Sequence, residues 1–309
     1  MISVACIVVF SLNPTIKGQI VAAFGRQYLA RLDDGSEMAC LTRGKKSEVA
    51  CGDEVEIKRT STASTENGIG AQGVIERIAP RRSLLHRSDA FREKLIAANV
   101  TQIIVVVAAE PSFSDELLAR CLVAAFDQKL DVLIVLNKCD LPAAAAAARK
   151  RLIPYSNIGY RVLELSAKQD VSALRPFLAG HTSVLVGQSG MGKSTLINAL
   201  LPDAQAATRE ISVALDSGKH TTTHARLYRI DETSGLIDCP GVQAFGLHHL
   251  SFGGIEQGFV EFAQYLGQCR FRDCRHAHEP GCALRNAVAE GKIDARRLDL
   301  FLQIAANKA

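Results

Sequence analysis

Short runs of alternating apolar and polar residues, separated by turn signals, make up residues 17–78. The alternation predicts five short strands, and Asp33-Asp34-Gly35-Ser36 is typical of a hairpin turn between two of them. So many short strands in a small segment predict a closed β-barrel of the OB type, with another small β-sandwich or an SH3-like barrel as the alternative. The predicted strands are residues 19–24, 28–32, 37–41, 54–58 and 73–78.

A basic segment follows at residues 81–94. Its Arg and Lys residues outnumber its acidic ones, and we expect it to be a linker after the barrel. An exposed charged surface is the simpler interpretation of these side chains, and a contact with phosphate is the alternative.

Longer apolar runs alternate with helix-forming segments after about residue 99. One helix is predicted at 114–129, where Ser114 is a good N-cap, and another begins at Pro142 and continues through an alanine-rich run. Alternating strands and helices predict a parallel sheet covered on both faces. After about residue 247 the predicted strands stop, and helices are expected at 255–266 and 294–306. The predicted strands of this part are residues 102–109, 131–136, 161–165, 182–186, 225–230 and 235–238.

Composition narrows the class of protein. With 309 residues we expect two or three domains, and 48% hydrophobic with 22% charged residues excludes a wholly disordered chain. The net charge of +4 permits a polyanionic partner without requiring one. No apolar run is long enough to span a membrane, and residues 4–12 lack the features of a cleaved signal peptide. Scattered cysteines suit a reducing cytoplasm, and those bunched after residue 268 suggest a metal site.

The segment Gly187-Gln188-Ser189-Gly190-Met191-Gly192-Lys193-Ser194 matches the phosphate-loop pattern G-x-x-x-x-G-K-[ST]. It follows an apolar predicted strand and precedes a helical run at 195–201, which is the context that the motif requires. In such loops, backbone N–H groups close around phosphate oxygens at a helix N-terminus. We expect Lys193 to reach the β- and γ-phosphates and Ser194 to bind Mg²⁺, with Thr195 also among the nucleotide-binding residues.

Two motifs at the ends of predicted strands indicate which base is bound. Asn137-Lys138-Cys139-Asp140 is the N-K-x-D signature with which GTPases read guanine. The Asp140 carboxylate accepts from guanine N1–H and the N2 amine, whereas adenine would leave it unpaired. Asn137 would orient the base and its own loop, and the Lys138 stem would cover the ring. Ser166-Ala167-Lys168 is the usual partner loop, whose alanine N–H is expected to point at guanine O6.

A further motif concerns Mg²⁺ and the γ-phosphate. In the D-x-P-G segment Asp238-Cys239-Pro240-Gly241, Asp238 would hold Mg²⁺ through water and the Gly241 N–H would sense the γ-phosphate. A threonine within residues 218–224 should complete the Mg²⁺ shell, and we favour Thr223 over Thr222. An ordinary polar loop is the alternative for that segment.

The order of these motifs is unusual. Ordinary GTPases begin with the phosphate loop and end with the base-reading motifs, whereas here N-K-x-D and S-A-K precede the phosphate loop. A sheet can be entered at a different point when the original chain ends lie close together, so the order predicts a circularly permuted domain. The D-x-P-G segment then runs directly into the last part of the chain, and we expect nucleotide state to be coupled to that part through the backbone.

The bunched cysteines Cys269, Cys274 and Cys282 are accompanied by His276 and His278. Three thiolates and one imidazole form a closed tetrahedral site, which suits one structural Zn²⁺ rather than a catalytic one. The surrounding arginines favour contact with RNA phosphates, with an exposed basic surface as the alternative. They are Arg270, Arg272, Arg275 and Arg285.

The OB-like barrel, the GTPase motifs in this order and the pattern C-x₄-C-x-H-x₅-C together resemble the bacterial small-ribosomal-subunit biogenesis GTPase family, RsgA (YjeQ). Supporting stretches are G-K-H-T-T-T-H at 218–224, D-C-P-G-V-Q-A-F-G at 238–246 and F-R-D-C-R-H-A-H-E-P-G-C at 271–282. The resemblance implies three modules. They are an OB-like barrel over residues 1–80, a circularly permuted α/β P-loop GTPase domain over 81–246 and a mainly helical zinc-binding module over 247–309.

The resemblance also implies a function. The family hydrolyses GTP and acts in late maturation of the small (30S) subunit, which stimulates the hydrolysis. For this chain the implied partners are GTP and GDP with Mg²⁺, the small subunit and its 16S rRNA, with no membrane, and we expect a cytoplasmic monomer. A GTP-gated RNA-binding scaffold with incidental hydrolysis is the alternative, and an ATPase or small-molecule kinase conflicts with Asp140.

Two residue choices rest on the resemblance. It favours His276 over His278 as the nitrogen ligand of the zinc. It also favours His249 as the residue that orients the attacking water, since Val242 stands where Ras-like enzymes carry a glutamine. For that role the alternatives are His248 and Gln243.

Overall fold

The computed structural model describes residues 15–25, 27–43, 48–60, 72–89, 92–202, 225–239 and 246–307. The first five strands are β1 (Ile16–Phe24), β2 (Gln27–Leu32), β3 (Glu37–Thr42), β4 (Glu54–Arg59) and β5 (Gly73–Ile78). They pair in the order β1-β2-β3-β5-β4, and β4 pairs back to β1, so the sheet closes into a barrel. Alternate side chains fill it, among them the fully buried Ile20, Tyr28 and Ile57. The predicted OB-like barrel is confirmed.

The expectation of a linker at residues 81–94 is wrong. Strands β6 (Leu84–Asp89) and β7 (Arg92–Ala98) form an antiparallel hairpin there. Buried apolar residues at its base, Leu85, Ile96 and Ala97, join the main core, and Ala97 makes a β-bridge to Cys51 of the barrel. The linker prediction weighed the charged residues of this segment, whereas the apolar residues beside them decide its structure.

The central domain is built on β8 (Gln102–Ala108), β9 (Asp131–Asn137), β10 (Arg161–Glu164), β11 (Thr182–Val186), β12 (Arg226–Arg229) and β13 (Gly235–Asp238). Parallel pairing in the order β10-β9-β8-β11-β13 confirms the predicted parallel sheet for these five strands. Every residue of β8 is buried because the sheet is covered on both faces. The covering helices are α1 (Asp115–Asp127), α2 (Pro142–Asn157), α3 (Arg175–Leu178) and α4 (Lys193–Leu200).

Strand β12 differs from the other strands of this domain because it runs antiparallel to β13. Its Arg226 pairs with Ala22 of β1, so the barrel and the central domain share one continuous sheet. The predicted all-parallel pattern therefore stops at β13. The periodicity of a short strand does not report the direction in which it runs.

The last part of the chain is helical, as expected, with α5 (Phe252–Gln257), α6 (Ala283–Ala289) and α7 (Ala295–Ala306). The single helix predicted at 255–266 is wrong, because α5 ends at Gln257 with Gly258 as its C-cap, and a separate 3₁₀ turn, Val260–Phe262, follows. A Cβ atom on Gly258 would lie 2.9 Å from the Val123 side chain of α1, so the close approach of the two segments requires glycine. In the described part of the chain, no helix is both long and apolar enough to cross a membrane.

Candidate functional site

The carboxyl ends of the parallel strands β9, β11 and β13 meet at one edge of the sheet. In open α/β sheets this edge is where ligands bind. A cleft of about 680 Å³ opens there. The predicted residues that line it are Asn137, Lys138, Asp140, Ser166, Ala167, Lys168, Gly187, Ser189, Gly190, Gly192, Lys193, Ser194, Thr195 and Asp238.

The phosphate loop joins β11 to α4 by a tight path that needs glycine at two positions. Gly187 has φ +149°, and a Cβ atom there would lie 2.2 Å from the Val106 carbonyl oxygen. Gly192, the N-cap of α4, has φ +88°, and its Cβ would lie 2.4 Å from the Asn137 amide nitrogen. The loop therefore lies directly against the ends of β8 and β9, with the N-terminus of α4 facing the cleft.

The two charged groups of this loop region are both influenced by burial. Lys193 begins α4, and its Nζ donates to the carbonyl oxygens of Gly187 at 2.6 Å and Gln188 at 2.8 Å. Burial lowers the pKa of Lys193, and the nearby Asp238 carboxylate opposes that effect. Burial likewise raises the pKa of Asp238, opposed by Lys193. Lys193 and Asp238 thus line one cleft, and each favours the charged form of the other. An ammonium group suits phosphate, and a carboxylate suits a divalent cation.

Asn137 ties three loops together. Its side chain is buried, and its Nδ2 donates to the Met191 carbonyl oxygen of the phosphate loop at 2.9 Å. Its Oδ1 accepts from the backbone N–H of Lys138 at 2.8 Å and of Ala167 at 2.9 Å. This one amide therefore fixes the N-K-x-D, S-A-K and phosphate loops relative to one another.

Asp140 is oriented by the S-A-K loop. The Ser166 hydroxyl donates to Asp140 Oδ1 at 2.6 Å, and this hydrogen bond is the main cause that lowers the pKa of Asp140. The carboxylate is therefore ionised at neutral pH and is held at the rim of the cleft. On the same loop, Lys138 Nζ donates to the Glu110 carbonyl oxygen at 2.7 Å.

Several predicted residues have side chains or N–H groups directed elsewhere than the cleft in this structure, or lie outside the described residues. Gln188 does not point into the cleft, since its Oε1 accepts from the Ser114 backbone N–H at 2.8 Å. Met191 belongs to the core, with 1% of its surface exposed. The Ala167 N–H, expected to point at a guanine oxygen, donates to Asn137 in this structure. Thr223 and Gly241 lie outside the described residues.

His249 is distant from the cleft. Its Nε2 lies 3.4 Å from Asp127 Oδ2, at the last residue of α1, and its ring centroid is 5.6 Å from that of His86. The phosphate loop contacts the other end of α1, at Ser114. A helix of 13 residues is about 20 Å long, so the structure separates this imidazole from the phosphate loop by roughly that distance.

The three predicted cysteines and His276 form a second site, in the helical part of the chain. Their ligand atoms all lie within 4.8 Å of one another. His276 Nδ1 is 3.6 Å from Cys269 Sγ, 3.6 Å from Cys274 Sγ and 3.2 Å from Cys282 Sγ. The clustered nitrogen is thus that of His276, and not that of its neighbour His278.

These distances fit a tetrahedral metal ion. With Zn–S of about 2.3 Å and Zn–N of about 2.0–2.1 Å, the edges of the tetrahedron measure about 3.8 Å between sulfurs and about 3.6 Å between sulfur and nitrogen. The separation of the Cys269 and Cys282 sulfurs is 4.0 Å, close to the first value. Two of the nitrogen–sulfur distances are 3.6 Å, equal to the second value, and the third is shorter at 3.2 Å. The donor set suits a borderline metal such as zinc.

The structure adds one residue that the sequence pattern did not indicate. Glu256 of α5 places Oε1 2.5 Å from His276 Nε2, on the side of the ring opposite the sulfurs. Glu256 is far from the cysteine motif along the chain, so ligand spacing alone carries no signal for it.

The chain is similar to known proteins over nearly its whole length. A family model described as RsgA GTPase matches residues 78–248. The small ribosomal subunit biogenesis GTPase RsgA of Nitrosospira multiformis is 55% identical over 295 residues, which cover 96% of this chain and 92% of that protein. The protein of the same name from Burkholderia pseudomallei is 53% identical, over a stretch that covers 93% of this chain and 91% of that protein.

Two solved structures are similar in fold. YjeQ from Thermotoga maritima is 27% identical with a TM-score of 0.70, covering 95% of this chain and 98% of that one. YloQ, described as a circularly permuted GTPase, is 25% identical with a TM-score of 0.67. The similarity covers 97% of this chain and 96% of that one.

Proposed function

The chain belongs to the RsgA GTPase family, and on that premise we propose that it hydrolyses GTP in late maturation of the small ribosomal subunit. The observation that carries the proposal is the single cleft in which a phosphate loop meets Asp140. Its relatives carry the name small ribosomal subunit biogenesis GTPase. The order of the base-reading and phosphate-binding motifs agrees with the circularly permuted description of YloQ.

Guanine is selected by Asp140. Both of its oxygens can accept hydrogen bonds, and the Ser166 hydroxyl holds one of them in place from the side. Guanine offers two adjacent donors to such a carboxylate, whereas adenine would leave it desolvated and unpaired. The Asn137 amide keeps the base-reading loops at a fixed distance from the phosphate loop, so the cleft selects the base and the phosphates together.

The phosphates and Mg²⁺ occupy the other end of the cleft. Lys193 and the N–H groups at the start of α4 bind the phosphates, and Ser194, Asp238 and Thr223 would hold Mg²⁺. Mg²⁺ neutralises charge on the phosphoryl oxygens during hydrolysis. The placement of Ser194 and Asp238 along the same cleft supports this assignment. Thr223 and the Gly241 N–H are assigned from the sequence.

One structural Zn²⁺ completes the helical module, with Cys269, Cys274, His276 and Cys282 as ligands. The spacing of their four donor atoms supports it. The arginines around this cluster bind phosphates of 16S rRNA, and the barrel also binds this RNA. We also propose module boundaries at residues 80 and 246, supported by the separate hydrophobic core of the barrel, and a cytoplasmic monomer.

Catalysis depends on the subunit. Among the described residues that line the cleft there is no histidine, and His249 lies at the far end of α1. We assign His249 to the orientation of the attacking water, which requires that docking on the subunit moves the segment around it. The order of the sequence supports such a movement. The D-x-P-G segment, whose Gly241 would sense the γ-phosphate, is followed along the chain by Gly246 and His249, so a change in that segment can be passed to His249 through the backbone.

Single-turnover GTP hydrolysis with and without mature small subunits tests the proposal. We expect slow intrinsic hydrolysis and strong stimulation by the subunit. His249→Ala should keep GTP and subunit binding and lose most of the stimulated rate, while the control His181→Ala, at the opposite edge of the sheet from the cleft, should keep it. Unstimulated hydrolysis would favour the scaffold function, and full stimulation of His249→Ala would transfer the role to His248, Gln243 or an rRNA group.

A further inference from the structure

Helix α5 contacts the metal cluster through two residues on one face. Phe252 and Glu256 are four residues apart, so their side chains lie one above the other on the helix. The Phe252 ring stacks on the His276 imidazole with centroids 6.4 Å apart and an interplanar angle of 12°. Glu256 Oε1 meets the edge of the same imidazole at Nε2, 2.5 Å away. One helix therefore sets both the plane and the rotation of the ring.

The backbone that carries this imidazole is strained, and its ring is shielded from water. His276 has φ +63°, a conformation that non-glycine residues adopt at a cost. Its side chain is 6% exposed and that of Glu256 is 18% exposed, so water competes little for their hydrogen bond. Since Nε2 donates to Glu256, the neutral ring carries its hydrogen on Nε2 and leaves the Nδ1 lone pair toward the three sulfurs.

We propose that Glu256 is a positioning residue of the metal site, which holds His276 Nδ1 toward the metal and links metal binding to the docking of α5. The inference rests on the metal site put forward under the proposed function and assigns it a coupling to the rest of the molecule. Outer partners of this kind raise metal affinity by about 10–100-fold, because they fix the orientation of the ligand and raise its basicity.

The coupling follows from the position of α5. This helix has six residues, too few to be stable without tertiary contacts. It follows the segment after D-x-P-G, and Gly258 at its end packs against Val123 of α1. The contact with His276 therefore joins the metal cluster to the helix that connects it to the GTPase domain. Metal binding should stabilise α5 through this contact.

The experiment measures Zn²⁺ affinity of the full chain by competition with a chromophoric chelator, for wild type, Glu256→Ala, Glu256→Gln and a control. Glu256→Ala should bind Zn²⁺ about 10–100-fold more weakly. Glu256→Gln should lose less, because its amide oxygen still accepts the Nε2 hydrogen without the charge. The matched control is Glu290→Gln in the same module, where Glu290 pairs with Lys292 at the surface. We expect it to match wild type.

Two further measurements separate positioning from unfolding. The Co²⁺-loaded Glu256→Gln variant should keep the absorption spectrum of a tetrahedral site with three thiolates, since the ligands are unchanged. Hydrogen exchange of residues 252–257 should speed up on Zn²⁺ removal in wild type, and in Zn²⁺-loaded Glu256→Ala as well. If wild type and Glu256→Ala bind Zn²⁺ equally well, or if residues 252–257 exchange hydrogen equally fast in the two Zn²⁺-loaded proteins, the inference is overturned and the metal site itself is unaffected. A wild-type chain that binds no Zn²⁺ overturns both.

Discussion

Replacement of Asp140 by Asn is the most direct test of how the cleft recognises its base. The carboxylate is at the rim of the cleft, with Oδ1 fixed by the Ser166 hydroxyl at 2.6 Å. Guanine would donate to it from N1–H and from the N2 amine. In Asp140→Asn one of the two acceptors becomes an NH₂ group, which meets a donor of guanine. The same NH₂ group faces an acceptor in xanthine, whose C2 carries an oxygen.

The size of the effect follows from the number of hydrogen bonds lost. A hydrogen bond to a charged group contributes about 1.5–3 kcal/mol, or about 10–200-fold in affinity. Asp140→Asn removes one such bond, sets its NH₂ group against a guanine donor and takes the charge from the remaining acceptor, so GTP and GDP should bind about 10²–10⁴-fold more weakly. Ser166→Ala removes only the group that orients the carboxylate. It should cost about 1 kcal/mol, or roughly fivefold, and should keep the preference for guanine.

Competition against a fluorescent GDP analogue by GTP, XTP and ATP measures these affinities. Asp131→Asn is the matched control, since Asp131 begins strand β9 at the opposite edge of the sheet from the cleft. It should leave all three affinities unchanged. If Asp140→Asn keeps GTP affinity within about threefold and gains none for XTP, Asp140 does not read the base. Equal competition by ATP and GTP in wild type would contradict guanine selection altogether.

Three further predictions concern the helical module. Removal of the metal by Cys274→Ser should unfold this module and weaken subunit binding while GTP binding survives. Circular dichroism and nucleotide titration measure these effects, and a normally folded variant would contradict the metal site. Arg297→Met should lower the free energy of unfolding in urea by about 3–5 kcal/mol, because it leaves Glu261 buried and unpaired. The added change Glu261→Leu should recover most of this loss, and an Arg297→Met variant as stable as wild type would refute the prediction. Binding to the subunit should weaken with salt, and neutralisation of three arginines should reduce that slope, whereas an unchanged slope would place the RNA-binding surface elsewhere. These arginines are Arg270, Arg272 and Arg275.

Elements whose signal is local were predicted well. Strands β5, β11 and β13 have the predicted bounds, and Ser114 caps α1 as expected, accepting from the Leu117 N–H at 3.2 Å. The hairpin at β6 and β7 and the break at Gly258 were missed for one shared reason. Each is decided by contact with a distant segment, Cys51 of the barrel in the first case and Val123 of α1 in the second.

The sequence by itself determined the chemistry of the cleft and the order of its parts. Phosphate loops, N-K-x-D and D-x-P-G are contiguous stretches, because each uses a few neighbouring backbone and side-chain groups at the end of one strand. Their order along the chain was enough to predict the permutation. The spacing of three cysteines predicted a metal site, and the family resemblance was needed to favour His276 over His278 as its nitrogen ligand.

Only the tertiary structure decided how these parts hold one another. The Asn137 amide joins three loops, Ser166 orients Asp140, and Glu256 orients His276, each across a separation along the chain that no local pattern spans. The placement of His249 about 20 Å from the phosphate loop likewise follows from the length and direction of α1. Contacts of this kind depend on which strands and helices become neighbours, and that is fixed by packing of the whole core rather than by the residues on either side of the group.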